Sequence, residues 1–288
     1  MNRKGRALVG YMPREHGIAI LNGGAAPTPA EAVELDRKWA TFRDRAMARP
    51  EFGSSTPVVS HIPKEAQREL DAVAAREDLQ TGFAPHNWEL GIVDLRIPIL
   101  TYQALIQTES AKDRVAEAAE ANWAALIRVC LPAATETPIE GGFDPSQNAF
   151  TLSSLNPNLR VNSFEVVDVA GPAGTAGQKK VFGFTIGLGS TYIQFVQYQH
   201  RWMVRDGHHR LYGLMLAGIS QVPAVLIHAR TFEETGAGRP GFFGYEQLFS
   251  TRPPQLRDFL DRDLSADVDV RAMRKVVRIK AEEFAVLV

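Results

Sequence analysis

Residues 206–210 read Asp-Gly-His-His-Arg, which places a carboxylate, two imidazoles and a guanidinium within five positions. Such a cluster between a strand-like and a helix-like run suits an anionic ligand. Gly207 permits a tight turn where a β-carbon would clash, and a helix starting there aims backbone N–H groups and the positive end of its dipole at a phosphate or carboxylate. Arg210 adds a bidentate donor for the same anion. Adjacent residues lie about 100° apart on a helix and on opposite faces of a strand, so His208 and His209 do not share one metal, and no metal site is expected. Asp206 has three available roles: orienting a histidine, holding Mg²⁺ through water, or capping the helix. The competing reading is purely structural, with Asp206 as cap and Arg210 in an internal ion pair.

The flanking residues supply the frame for this turn. "YQHRWMV" alternates as a short strand, "HHRLYGLMLAG" continues as a helix ending near Gly218, and "VPAVLIHA" returns as a buried strand. Together with the segments before it, "SFEVVDVAG" and "QKKVFGFTIGLG", the run "STYIQFVQYQHRWMVRDG" reads as three or four strands separated by Gly-rich turns. The N-terminal part reads as helical. Thr28-Pro29-Ala30-Glu31 opens one amphipathic helix that Pro50 ends, and "PKEAQRELDAVAARED" is a second. "WELGIVDLRIPILTYQAL" is strand-like, with Pro98 marking an edge or an end. "SAKDRVAEAAEANWAALIRVCLP" reads as one long helix whose inward stripe is Val115, Ala119, Trp123, Leu126 and Cys130.

The stretch "YQHRWMVRDGHHRLYGLMLAGISQVPAVLI" resembles the core of the ParB/sulfiredoxin superfamily, in which a strand, a Gly-x-x-Arg turn, a helix and a strand follow one another. Its Asp-Gly-His-His-Arg form is similar to that of ParB-like proteins including the ADP-dependent free-serine kinases. The resemblance is best over residues 181–230. It implies an α+β fold with a ParB/sulfiredoxin-like mixed core in the C-terminal half and N-terminal helical additions. It also implies that Gly207, His208, His209 and Arg210 hold phosphates, with Arg210 as the main contact. By similarity to the serine kinases, Asp206 and His208 adjoin the transferred phosphoryl group, Asp94 in "GIVDLRIPI" is the candidate carboxylate base, and the cofactors are Mg²⁺ with ATP, ADP or CTP.

The departures narrow the reaction. Sulfiredoxins place a catalytic cysteine before the His-Arg pair, whereas Cys130 is the only cysteine here and belongs to a predicted helix. The residues after Ala229 show no helix-turn-helix, so partition-type DNA binding is not expected. "GPAGTAGQKK" lacks the Gly-Lys-Ser/Thr end of a phosphate loop. The expected arrangement is a helical extension at 1–90, a core at 91–230 carrying an insertion at about 105–180, and a C-terminal extension at 231–288 that packs on the core. The expected function is nucleotide or phosphate binding by a phosphotransferase or nucleotide hydrolase. The alternative is a non-catalytic ligand-sensing or interaction module with the same pocket.

The bulk composition agrees with both readings. Thirty-two basic residues against 33 acidic ones create no field for nucleic acid or anionic membranes, and no apolar run reaches the roughly 20 residues that a membrane span needs. A lone cysteine and a poor N-terminal signal suit a cytoplasmic protein. "GFFGYEQLF" offers either a mobile lid or a loop packed on the core, and Asn158 and Arg160 offer extra polar groups for a substrate.

Overall fold

The computed structural model describes residues 2–54, 56–113, 115, 122–133, 138–154, 159–169, 179–188, 191–238, 241–271 and 275–286. The chain runs β1 (Asn2–Ala7), α1 (Arg14–Leu21), α2 (Pro29–Ala48), α3 (Lys64–Ala74), α4 (Glu77–Phe83), β2 (Trp88–Asp94), β3 (Leu100–Thr101), β4 (Leu105–Gln107) and α5 (Thr108–Asp113). It continues with α6 (Trp123–Cys130), β5 (Glu140–Asp144), β6 (Ala149–Ser154), β7 (Leu159–Val169), β8 (Lys179–Leu188), β9 (Gln194–Tyr198) and β10 (Arg201–Asp206). Last come α7 (His208–Leu216), β11 (Gln221–His228), α8 (Tyr245–Leu248), β12 (Ala266–Arg271) and β13 (Lys275–Lys280). The fold is α+β. Among the described residues no helix is long and apolar enough to cross a membrane.

Two units share the chain. The first comprises residues 1–133 and 191–272, the second 134–190 and 273–288. This division differs from the three successive segments expected from the sequence. The N-terminal helices belong to the same unit as the Asp-Gly-His-His-Arg turn, and residues 134–190 belong with β13 to the second unit.

The first unit is built on a five-stranded sheet in the order β2-β11-β9-β10-β3. β11 runs parallel to β9 and β10 parallel to β3, while β2–β11 and β9–β10 are antiparallel. Ile92, Val93, Phe195, Val196, Met203, Val204, Ala224 and Val225 are fully buried there, as expected where alternate or continuous Val/Ile/Leu positions face packed helices. A second, antiparallel sheet orders β12-β1-β4. β1 is polar in sequence, and it is a strand because its charges find partners across the ladder. Lys4 pairs with Asp269, and Arg6 with Asp267, each at its own register position.

Local chemistry accounts for the helix ends. Thr28 and Glu31 close a capping box on α2, with Pro29 in the first turn. The single helix expected from 110 to 132 is instead two described helices, α5 and α6, and Ala119 lies outside the described residues. The reason is Asn122, whose side chain accepts a bond from the Ala125 N–H at 2.8 Å and starts α6 afresh.

The β9–β10 hairpin turns through Gln199 and His200, both with positive φ (46° and 63°) and both exposed. Two left-handed residues give the primed turn that fits strand twist, but each side chain with a β-carbon costs about 1 kcal/mol there. Replacing Gln199-His200 by Asn-Gly is therefore expected to raise stability by about 1–2 kcal/mol; an unchanged urea midpoint would contradict this.

In the second unit β13, β6 and β5 form one antiparallel sheet, and β7 pairs with β8 in a long two-stranded ladder. Most of "GPAGTAGQKK" and Asn158 fall outside the described residues, whereas Arg160 lies on β7.

Candidate functional site

The expected strand, turn, helix and strand appear as β10, Gly207, α7 and β11. A bulge breaks the β9–β10 register between Val204 and Asp206, so Arg205 is the extra residue where the strand bends into the turn. Gly207 has φ +94° and is the N-cap of α7. A β-carbon on it would lie 2.9 Å from Ile193 Cγ1 and 3.2 Å from Ile193 Cα, so both conformation and space demand glycine. Gly207→Ala is expected to cost about 2 kcal/mol, read from the shift in its denaturant midpoint.

The polar groups of the turn have distinct surroundings. Asp206 is half-buried and its Oδ1 accepts a 2.6 Å bond from the Gly207 N–H, one residue ahead of the helix, so Asp206 orders the turn and no side chain caps α7. His208 is buried, with its ring edge-on to Tyr102 at 5.6 Å between centroids. Its Nε2 has no hydrogen-bond partner among the described residues. Burial, with a lesser contribution from neighbouring His209, lowers its pKa to about 3, so the imidazole is neutral at physiological pH. His209 is half-buried.

Arg210 points into the protein. Its Nη1 donates to the Val129 carbonyl at 2.9 Å, and its Nη2 donates to the Thr191 carbonyl. Val129 lies in the last turn of α6, where helix carbonyls lack intrahelical partners. The same end is closed by Ile193 N–H on the Cys130 carbonyl and by Arg76, which donates to the carbonyls of Leu131 and Pro132. Two arginines thus hold the C-terminal end of α6. Arg210 is the anchor that ties the first turn of α7 to α6 and to the chain entering β9.

Asp94 stands apart. It ends β2, in register with Gln221 at the start of β11, whereas Asp206 ends β10 opposite Gln194 of β9. Three strand spacings of about 4.8 Å separate β2 from β10, so the two carboxylates are on the order of 14 Å apart or more. Asp94 is paired with Arg96 at 2.6 Å and also accepts the Arg96 N–H. Those bonds hold its carboxyl below the ordinary range, opposite to the tuning of a general base. The structure therefore brings together Asp206, Gly207, His208, His209 and Arg210 in sequence and space, and leaves Asp94 outside that group.

Two residues beside the turn, Tyr102 and His86, had no signal in the sequence. Tyr102 donates its hydroxyl to the Arg205 carbonyl at 2.6 Å, which holds the bulge, and packs against His208. Arg205 Nη2 lies 3.3 Å from His86 Nε2, and burial together with the Arg205 charge lowers the His86 pKa. Tyr102 and His86 come from separate stretches of chain, and no spacing links them to 206–210, whereas Arg205 directly precedes the motif. The "GFFGYEQLF" stretch packs on the core. Phe243 is buried and its N–H bonds to the Tyr102 carbonyl, and Phe242 lies 5.2 Å from the Tyr102 ring.

A cavity of about 370 Å³ in the first unit is lined by Tyr11, Trp39, Arg43, Met47, Glu246 and Arg252 among others, and by none of residues 206–210. Among the described residues no group of three His, Cys, Asp or Glu side chains is placed to hold a metal ion. Cys130 is buried at 0% exposure, and burial pushes its thiol up to about 12, so it is chemically inert. Comparison with protein-family models, curated proteins and solved structures yields no match to this chain.

Proposed function

We propose that the chain binds a phosphate-bearing small molecule of the nucleotide class at the N-terminus of α7, on a ParB-like core. The observation that carries this reading is the uncapped start of α7 at Gly207, beside the buried His208 whose Nε2 lacks a partner among the described residues. First-turn amides and the helix dipole favour an anion. His209, half-buried on the same turn, adds a second imidazole beside the helix start. Asp206 fits Mg²⁺ only as one oxygen of a shell completed by phosphate oxygens and water, so the metal would arrive with the nucleotide.

Binding without turnover is favoured over phosphoryl transfer by the distance and pairing of Asp94. The phosphotransferase reading needs a carboxylate base at the reacting oxygen. The test is calorimetric titration of ATP, ADP, CTP and GTP with Mg²⁺ into the native protein and His209→Ala, a half-buried position, with circular dichroism checking that the variant keeps the native fold. Saturable binding weakened at least about tenfold in the variant is expected. No saturable binding of any of the four, or identical binding by the variant, overturns the proposal. Release of a hydrolysed or transferred phosphate in the same samples would restore the enzymatic reading.

A further inference from the structure

The β7–β8 ladder of the second unit carries an apolar face that its own unit leaves uncovered. Directly opposed residues of an antiparallel pair share a face, so the register assigns Phe164 and Phe184, Val166 and Phe182, and Val161 and Ile186 to one side. Phe164 is 70% exposed, Phe182 61% and Phe184 44%, with Val161 and Val166 similar to the last. At the base of the same row Leu159, paired with Leu188, is 1% exposed, so the stripe begins as core and emerges into solvent. The opposite face is mixed, with Ser163, Glu165 and Thr185 beside the exposed Val167 and Val181, and carries no aromatic ring among its described side chains. Two-stranded ladders are marginal in water without a covering layer, and the face with three phenylalanines and two valines is the more apolar of the two.

We infer that the exposed face of β7–β8 packs on the same face of a second copy of this chain. The reasons are area, charge and symmetry. Taking about 200 Å² for a whole phenylalanine, the exposed Phe and Val residues present roughly 500 Å² of apolar surface per copy. That is near the upper end for the largest patch on a monomer, and two such faces give the core of a standard interface once a rim is added.

The rim is on the same face. Asp168 and Lys180 occupy the next register pair and are 2.9 Å apart. A two-fold axis parallel to the strands, midway between ladders about 10 Å apart, places β7 of one copy over β8 of the other at equal height. Asp168 then faces Lys180 of the second copy in both directions, and Phe164 faces Phe184. The face is thus complementary to itself in shape class and in charge, as an isologous interface requires.

Sedimentation equilibrium of the native chain from 1 to 100 µM tests this. The native protein is expected to dimerise, and Phe164→Glu/Phe182→Glu to raise the dimer dissociation constant at least tenfold. Val167→Glu, on the opposite face of the ladder, is expected to leave it unchanged. Asp168→Lys is expected to weaken the dimer several-fold, and Asp168→Lys/Lys180→Asp to restore it. Each substitution lies at an exposed position, so circular dichroism should match the native chain. A native chain that stays monomeric at 100 µM, or a dimer that survives the double glutamate variant, overturns the inference and leaves the face to a different protein. Failure of the charge exchange to restore association overturns the two-fold arrangement.

Discussion

Arg210→Ala is expected to lower the unfolding free energy by about 4 kcal/mol, because two charge-assisted hydrogen bonds to backbone carbonyls are lost together. The carbonyls of Val129 and Thr191 lose their donor in a region where Arg210 itself is only 7% exposed, so the loss is not made good by bulk solvent. Against a typical total of 5–15 kcal/mol this is a large fraction, and it corresponds to a fall in melting temperature of about 10 °C. Arg210→Lys should be intermediate, since an ammonium reaches one carbonyl but lacks the planar fork that serves two. Urea titration followed by circular dichroism measures both variants. A midpoint for Arg210→Ala equal to that of the native protein would show that the guanidinium does not anchor α6. The consequence for function is practical. A loss of ligand binding in Arg210→Ala reports on the fold as much as on the ligand, which is why His209 is the better probe of the turn.

The elements around the turn were legible because their signals are local. Thr28, Pro29 and Glu31 announce α2 within four residues, and Gly207 and Gly218 bracket α7 where backbone conformations demand them. β1 and β12 were not legible. Their pairing joins residues 2–7 to 266–271, and polar runs such as "NRKGRA" acquire strand character only from a partner over 250 positions away. The same holds for the site. The residue types of 206–210 pointed to an anion, but whether Arg210 faces outward or inward depends on the carbonyls of α6 and of Thr191, which the turn's own sequence does not encode. Asp94 was named as the base from the resemblance to the serine kinases, on an extended run of residues. Sheet order, β2-β11-β9-β10, is what separates it from Asp206, and order is a property of non-local pairing.

The acid response of the first unit should depend on two buried groups with opposite signs. His208 has a folded pKa of about 3 against an ordinary 6.5. Its unfolded form therefore binds the proton between those values, and stability rises with pH across that window and is lost as pH falls through it. Asp258 is 3% exposed; it accepts bonds from Tyr11 at 2.9 Å, Arg49 at 2.7 Å and the Gln255 N–H at 2.8 Å. Burial outweighs the Arg49 charge and raises its pKa from 3.8 to about 6. Here the folded form binds the proton between those values. The stabilisation is fully present below the lower one and is lost as pH rises through the upper one. Between about pH 4 and 6 the two slopes, each at most about 1.4 kcal/mol per pH unit, oppose each other. Asp258→Asn removes one of them. Whatever constant offset follows from depriving Arg49 of its carboxylate, the stability of the variant relative to the native protein should increase by about 2 kcal/mol from pH 4 to pH 7. Urea midpoints of both proteins at half-unit intervals across that range measure it. A difference that stays flat would mean that Asp258 ionises as an ordinary carboxylate, with the Arg49 pair fully offsetting its burial.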